Sequence, residues 1–132
     1  MVNDEITALL ERITETFSRL DLPAWFECFH QPHVMVTKHA NYSPKTIAEC
    51  REIMGASFDK LHQQGFCKST LDYHKIKLLA ETTAVVSAVW SRWTNTDELL
   101  QTFGATYVLS KVEDKWGISL LTTHKAENIL LE

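Results

Sequence analysis

Apolar residues at Ile6, Leu9, Leu10, Ile13, Phe17 and Leu20 recur with the period of a helix and gather on one of its faces. Asn3 is the predicted cap of that helix, with Asp4 and Glu5 placed well for its positive end. Asp21-Leu22-Pro23 ends it and opens a short second helix carrying Trp25, Phe26 and Phe29, because proline is tolerated in a first turn but not later. Val34–Thr37 reads as a short β-branched strand. Ser43-Pro44 marks the start of a third helix. Its apolar stripe is Ile47, Cys50, Met54, Phe58 and Leu61, and Gly65 closes it. After Gly65 the period drops to about two, which predicts strands over 67–79, 83–94, 99–111 and 116–124. The joins Ala80-Glu81-Thr82, Asn95-Thr96-Asp97 and Glu113-Asp114-Lys115 are polar and short enough for hairpins.

Helices first and strands after is the order of an α+β domain with its helices on one sheet face. Strands of about ten residues exceed the usual five or six, and long strands twist and curl. The prediction is three N-terminal helices packed in a strongly curved antiparallel sheet, a cone-shaped barrel with a pocket, built from residues 1–132 as one domain.

Composition narrows the partners. The chain has 132 residues, 45% hydrophobic and 23% charged, with a net charge of −4. The 13 basic residues are dispersed, with no run able to track a phosphate backbone, so no nucleic-acid partner is expected. No apolar run approaches the roughly 20 residues of a membrane span, and the acidic start Asn3-Asp4-Glu5 lacks a signal peptide's layout. Cys28, Cys50 and Cys67 are odd in number and widely spaced, which fits a reducing compartment and predicts a cytoplasmic protein. His30, His33 and His39 are close in sequence, but Pro32 prevents a helical alignment of the first two, so they are expected in a solvated loop with no metal. There is no glycine-rich nucleotide fingerprint, and no cofactor is implied.

Three stretches carry a resemblance. Leu20-Asp21-Leu22-Pro23-Ala24-Trp25-Phe26 through Phe29-His30-Gln31-Pro32-His33-Val34-Met35-Val36 combines an acidic turn, an aromatic short helix and entry into a strand. Ala84-Val85-Val86 with Trp90-Ser91-Arg92-Trp93 forms an aromatic central strand, and Tyr107-Val108-Leu109-Ser110-Lys111 with Trp116-Gly117-Ile118 forms a C-terminal hairpin. In this order they resemble the nuclear transport factor 2-like (SnoaL-like, cystatin-like) superfamily. The resemblance implies helices wrapped by a curved sheet around a small-molecule pocket. That superfamily hosts isomerases, dehydratases, cyclases and transport factors, so function must be read from the site.

In enzymes of that superfamily, acids, bases and donors project from the sheet into the cavity. The candidates here are Asp72, His74, Arg92, Tyr107, Thr122 and His124. Strict alternation places Asp72 and His74 with Ile76 and Leu78, leaving Lys75 and Lys77 for solvent. Arg92 falls with Val86, Ala88 and Trp90, and Tyr107 with Phe103, Ala105 and Leu109. Asp72, His74, Arg92 and Tyr107 are therefore expected in one cavity, with Asp72 a plausible partner of Arg92; a bulge in either long strand would flip a face. The expected function is binding of a small apolar or aromatic molecule. The alternatives are a cofactor-independent isomerase, dehydratase or cyclase, with Asp72 or His74 as base and Tyr107 or Arg92 as electrophile, and a dimeric interaction module. Val85, Val89, Trp93, Val108 and Leu121 cannot share a face with Val86, Trp90, Leu109 and Leu120, so a homodimer through the outer sheet face is expected.

Overall fold

A computed structural model of the chain describes residues 2–132. Helix α1 spans Val2–Ser18 and α2 Leu22–Phe26; β1 (Phe29–Val36) and β2 (Asn41–Tyr42) follow, then α3 (Ile47–Gln63). The chain continues as β3 (Phe66–Ala80), β4 (Thr83–Thr94), β5 (Leu99–Val112) and β6 (Lys115–His124), and ends in a 3₁₀ turn over Ala126–Asn128. The strands form an open sheet in the order β2-β1-β6-β5-β4-β3. The α+β architecture, the three helices and the four long strands are as expected.

Several local readings change. Asn3 lies inside the first turn of α1 rather than capping it. Asp21 caps α2 by accepting from the Ala24 N–H at 3.2 Å. Helix α3 begins three residues beyond Pro44, where the Thr46 hydroxyl accepts from the Glu49 N–H at 3.1 Å and Glu49 reaches back to the Lys45 N–H at 2.9 Å. The first bond supplies a partner for an N–H the helix itself leaves orphaned, and the second ties the residue before the cap to the first turn. Gly65, at φ 81°, does end the helix. Phe29 belongs to β1, not to α2, and β1 runs through a cis Gln31–Pro32 bond.

The sheet is not antiparallel throughout. β3 to β6 form the expected meander, but β1 pairs with β6 in parallel, with Met35 beside Leu121. After β1 and β2 the chain crosses to the far edge at β3 and meanders back, so that β6 ends beside β1 and runs in the same direction. Helix α1 packs against both β3 and β6, so the sheet curves around it. Buried Ile6, Leu9, Leu10 and Ile13 face Ala84, Val86, Ala88, Ala105, Leu109 and Ile118 in the core. Glu5 accepts from the Trp116 indole N–H at 2.9 Å and ties α1 to β6, while the Ser69 N–H donates to the Ser18 hydroxyl at 2.9 Å and ties it to β3.

Candidate functional site

The concave side of the sheet holds a cavity of about 130 Å³ between the helices and β3–β6. Its inner wall is aromatic and aliphatic. Phe17 stands edge-on to Trp25 (5.8 Å between ring centres) and to Phe58 (5.1 Å), a geometry that aromatic quadrupoles favour. Ile13, Met35, Met54 and Leu121 complete the apolar lining, and exposed Thr37 and Thr123 mark its open end.

Two of the four expected residues meet there. Arg92 and Tyr107 both line the cavity, with Trp90, Phe103 and Ser69. The paired registers explain why. β4 and β5 run in step from Thr83–Ser110 to Arg92–Gln101, so alternation holds along both and puts Val86, Trp90 and Arg92 on the face of Tyr107 and Leu109.

Asp72 is not in the cavity. An extra residue sits in β3 between the pairs Leu71–Trp90 and Tyr73–Val89. It reverses the expected faces at the start of the strand: Ser69 and Leu71 point inward, and Asp72 joins Thr70 and Tyr73 on the outer side. There its carboxylate accepts from the Ser91 hydroxyl and, at 2.8 Å, from the Thr70 hydroxyl, which itself accepts from the Trp93 indole at 3.0 Å. Asp72 and Arg92 lie on opposite sheet faces, and the residue across from Arg92 is Ser69. His74 does return to the inner face, opposite Ala88, but it is exposed and sits against α1 beside Leu10, Glu11 and Glu15, outside the cavity.

β6 has a similar irregularity. Its register shifts between Val108–Leu120 and Leu109–Ile118, so Leu121 and Thr123 line the cavity while Thr122 and His124 face outward. His124 Nε2 bonds the Thr106 hydroxyl at 2.8 Å and its Nδ1–H reaches the Lys125 carbonyl at 2.8 Å. Of the three N-terminal histidines, His39 does lie in an exposed loop, but His30 and His33 belong to β1. His33 is buried in β1, with its Nδ1–H donating to the His30 carbonyl at 2.8 Å, and His30 Nε2 bonds the Ser110 carbonyl at 2.8 Å. Among the described residues no group of His, Cys, Asp and Glu is arranged to hold a metal ion.

The electrostatics of the cavity are one-sided. The Arg92 guanidinium lies over the rings of both Phe17 and Phe103, its carbon 5.0 and 4.5 Å from the two ring centres. Nη1 donates to Gln101 Oε1 at 3.0 Å, but buried Nε has no acceptor. Among the described residues no carboxylate pairs with Arg92. Burial lowers its pKa and the Tyr107 hydroxyl partly opposes that; a guanidinium stays charged nonetheless. The indole Nε1–H of Trp90, likewise buried, reaches no acceptor in hydrogen-bonding geometry. Burial pushes the Tyr107 pKa well above its ordinary value, with the Trp90 indole pulling slightly the other way, so the hydroxyl keeps its proton. Among the described residues the lining contains no Asp, Glu, His or Cys.

Sequence reasoning missed Trp90 as a polar group. In the sequence Trp90 served only to mark the face of Arg92, and the signal that could have been used was its indole N–H on that same face, a donor needing an acceptor where most neighbours are apolar. Ser69 and Thr123 were hidden by the two strand irregularities.

Among solved structures, an NTF-2-like protein of unknown function from Shewanella oneidensis is 20% identical, covers 93% of this chain and 98% of its own, and superposes with a TM-score of 0.73. Aln2 from a Streptomyces species is 11% identical over 96% of this chain and 91% of its own, with a TM-score of 0.76. An NTF2-like protein with a cystatin-like fold from Novosphingobium aromaticivorans is 15% identical over 92% and 79%, with a TM-score of 0.72. These likenesses establish the shared fold. No curated protein matches the chain. The family model described as NTF2-like protein (DUF6841) matches residues 4–126, all of the α-helices and long strands except the first two residues of α1, and the chain belongs to that NTF2-like family.

Proposed function

We propose that this chain is a small-molecule-binding member of its family, taking an apolar or aromatic molecule into the cavity between the helices and the sheet. The observation that carries the reading is a preformed cavity of about 130 Å³ whose wall is aromatic and aliphatic but for a few polar groups on one side. An engineered apolar cavity of ~150 Å³ suffices for benzene, so a single ring is the right scale. Asp72 and His74 lie away from this space, which favours binding over the isomerase, dehydratase or cyclase alternative. Toluene tests the reading. Saturating toluene should raise the melting temperature and change the emission of Trp25 and Trp90, which line the cavity. Leu121→Trp should fill the space and abolish both effects. No change in either signal with toluene or other single-ring aromatics would refute the reading.

The protein is also proposed to be a homodimer through the outer sheet face. Half-buried Val85, Val89, Trp93 and Val108 support this, although Leu121, expected there, lines the cavity instead. The residues after β6 reach this face, where the Leu131 N–H donates to the Ser87 hydroxyl at 2.8 Å, so the interface would include them. Sedimentation showing a 15.1 kDa species alone at tens of micromolar, about the range in which a standard interface holds, would refute the dimer. Among the described residues no helix is long and apolar enough to cross a membrane. Exposed Cys67 and the buried thiols of Cys28 and Cys50 are free, which supports a reducing, cytoplasmic setting.

A further inference from the structure

The polar side of the cavity has a definite chemical character. Every strong polar group on it is a donor. Arg92 offers Nε–H, Trp90 offers Nε1–H, and the buried Tyr107 hydroxyl keeps its proton. Trp90 is 3% exposed, and its N–H leans on the Tyr107 oxygen without reaching hydrogen-bonding geometry, which leaves a buried donor short of a full partner. The one charge lacks a counter-charge: Gln101, which holds Nη1, is neutral, and the guanidinium otherwise lies over the rings of Phe17 and Phe103. Buried charges are normally paired.

We infer that the ligand carries a carboxylate on a one-ring apolar body, with Arg92 as its counter-ion and Trp90 and Tyr107 as further donors. The inference rests on the binding function proposed above and adds the class of ligand. Gln101 occupies Nη1, which leaves the Nε–Nη2 edge of the guanidinium, the fork that matches the two oxygens of a carboxylate. A neutral carbonyl would satisfy the N–H groups but leave the guanidinium without a counter-charge. A phosphate would bring up to two negative charges to a wall with one cation, and its excess charge would be buried against Phe17 and Phe103. The ring of the ligand would fill the space bounded by Ile13, Trp25, Met35 and Leu121. The remaining hydroxyls, on Ser69, Thr37 and Thr123, are small; that of Thr37 already donates to the Ala40 carbonyl.

Phenylacetate and its neutral isostere phenylacetamide make the test. Their affinities are measured by NMR titration of the protein labelled with ¹⁵N, following the Trp90 indole and Arg92 Nε–H resonances. Phenylacetate should bind at least about 10-fold more tightly than phenylacetamide, the scale of one charge-assisted hydrogen bond. Both followed resonances should move downfield with the acid. In Arg92→Met, phenylacetamide should still bind and the preference for the acid should vanish. Equal or tighter binding of the amide by the unaltered protein, or a preference for the acid that survives in Arg92→Met, would overturn the carboxylate assignment while leaving the binding function intact. Failure of both compounds to bind, with toluene also inert, would overturn both readings. Failure of both with toluene bound would overturn the carboxylate assignment alone.

Discussion

Replacing Arg92 by methionine should make the ligand-free protein more stable. The native residue holds a charge in an apolar wall, with Nε lacking an acceptor and no carboxylate in reach among the described residues. On the debit side, methionine forfeits the stacking on Phe17 and Phe103, about 0.5–1 kcal/mol for each ring at a partly open site. It also forfeits the hydrogen bond to exposed Gln101, about 0.5–1 kcal/mol. On the credit side, the uncompensated burial of a cation costs several kcal/mol even after relaxation. A methionine of similar length is flexible enough to fill the space between the two rings. The balance favours the variant by about 1–3 kcal/mol. For a domain of this size that is a rise of roughly 3–10 °C in melting temperature, measured by calorimetry and cross-checked by the urea midpoint. The sign of the pKa change agrees, since burial disfavours the charged form of Arg92. A variant destabilised by more than about 1 kcal/mol would refute the reasoning and mean that the stacking and the Gln101 bond already satisfy the guanidinium. A more stable, ligand-blind variant is the pattern expected where binding residues are held at a cost to the fold.

The remaining expectations concern the scaffold. A Cβ on Gly104 would come within 2.7 Å of the His124 ring and 2.9 Å of the Lys125 carbonyl oxygen, so Gly104→Ala should cost about 1–3 kcal/mol in a urea titration, and an unchanged midpoint would show that the β6 end yields freely. Buried His33 has its pKa lowered by burial, with the bond to the His30 carbonyl opposing. Its contribution is therefore complete above the unfolded value of 6.5 and is lost as pH falls through the folded pKa, with a slope of at most about 1.4 kcal/mol per pH unit. His33→Gln should flatten that part of the stability profile between pH 6.5 and the folded value, and a profile identical to that of the unaltered protein would refute the assignment.

What the sequence disclosed, and what it hid, follows from where the strands are regular. β4 and β5 keep one register from Thr83 to Arg92, so counting by twos placed Arg92 and Tyr107 on the concave face without any structure. β3 carries an extra residue at Asp72 and β6 one at Ser119, and counting by twos then put Asp72 and the Thr122/His124 pair on the wrong side. A bulge leaves its mark in sequence only when it breaks a hydrophobic alternation. Lys68-Ser69-Thr70-Leu71-Asp72-Tyr73 has little alternation to break, because this edge strand is mostly exposed along its length. His33 shows the same limit from the other side. Among Gln31, Pro32 and His30 it looks solvated, yet Phe26 and Phe29 close over its ring at 6.0 and 4.6 Å between centres, a tertiary cover that no local pattern announces.

The displaced carboxylate changes the chemistry that the cavity can support. With Asp72 inside, a carboxylate beside Arg92 would have formed an ion pair, the guanidinium would have been satisfied, and a base would have been in reach of a ligand. With Asp72 outside, held by Ser91 and Thr70, the same cavity holds an unpaired cation, an indole N–H and a phenol whose burial keeps it protonated. None of these groups accepts a proton at neutral pH, whereas all three can stabilise negative charge on a ligand. A molecule transformed here would have to supply its own base, by lodging a carboxylate against Arg92 that also faces its reacting carbon. The position of one extra residue in β3 thus decides between a site built to move protons and a site built to hold an anion.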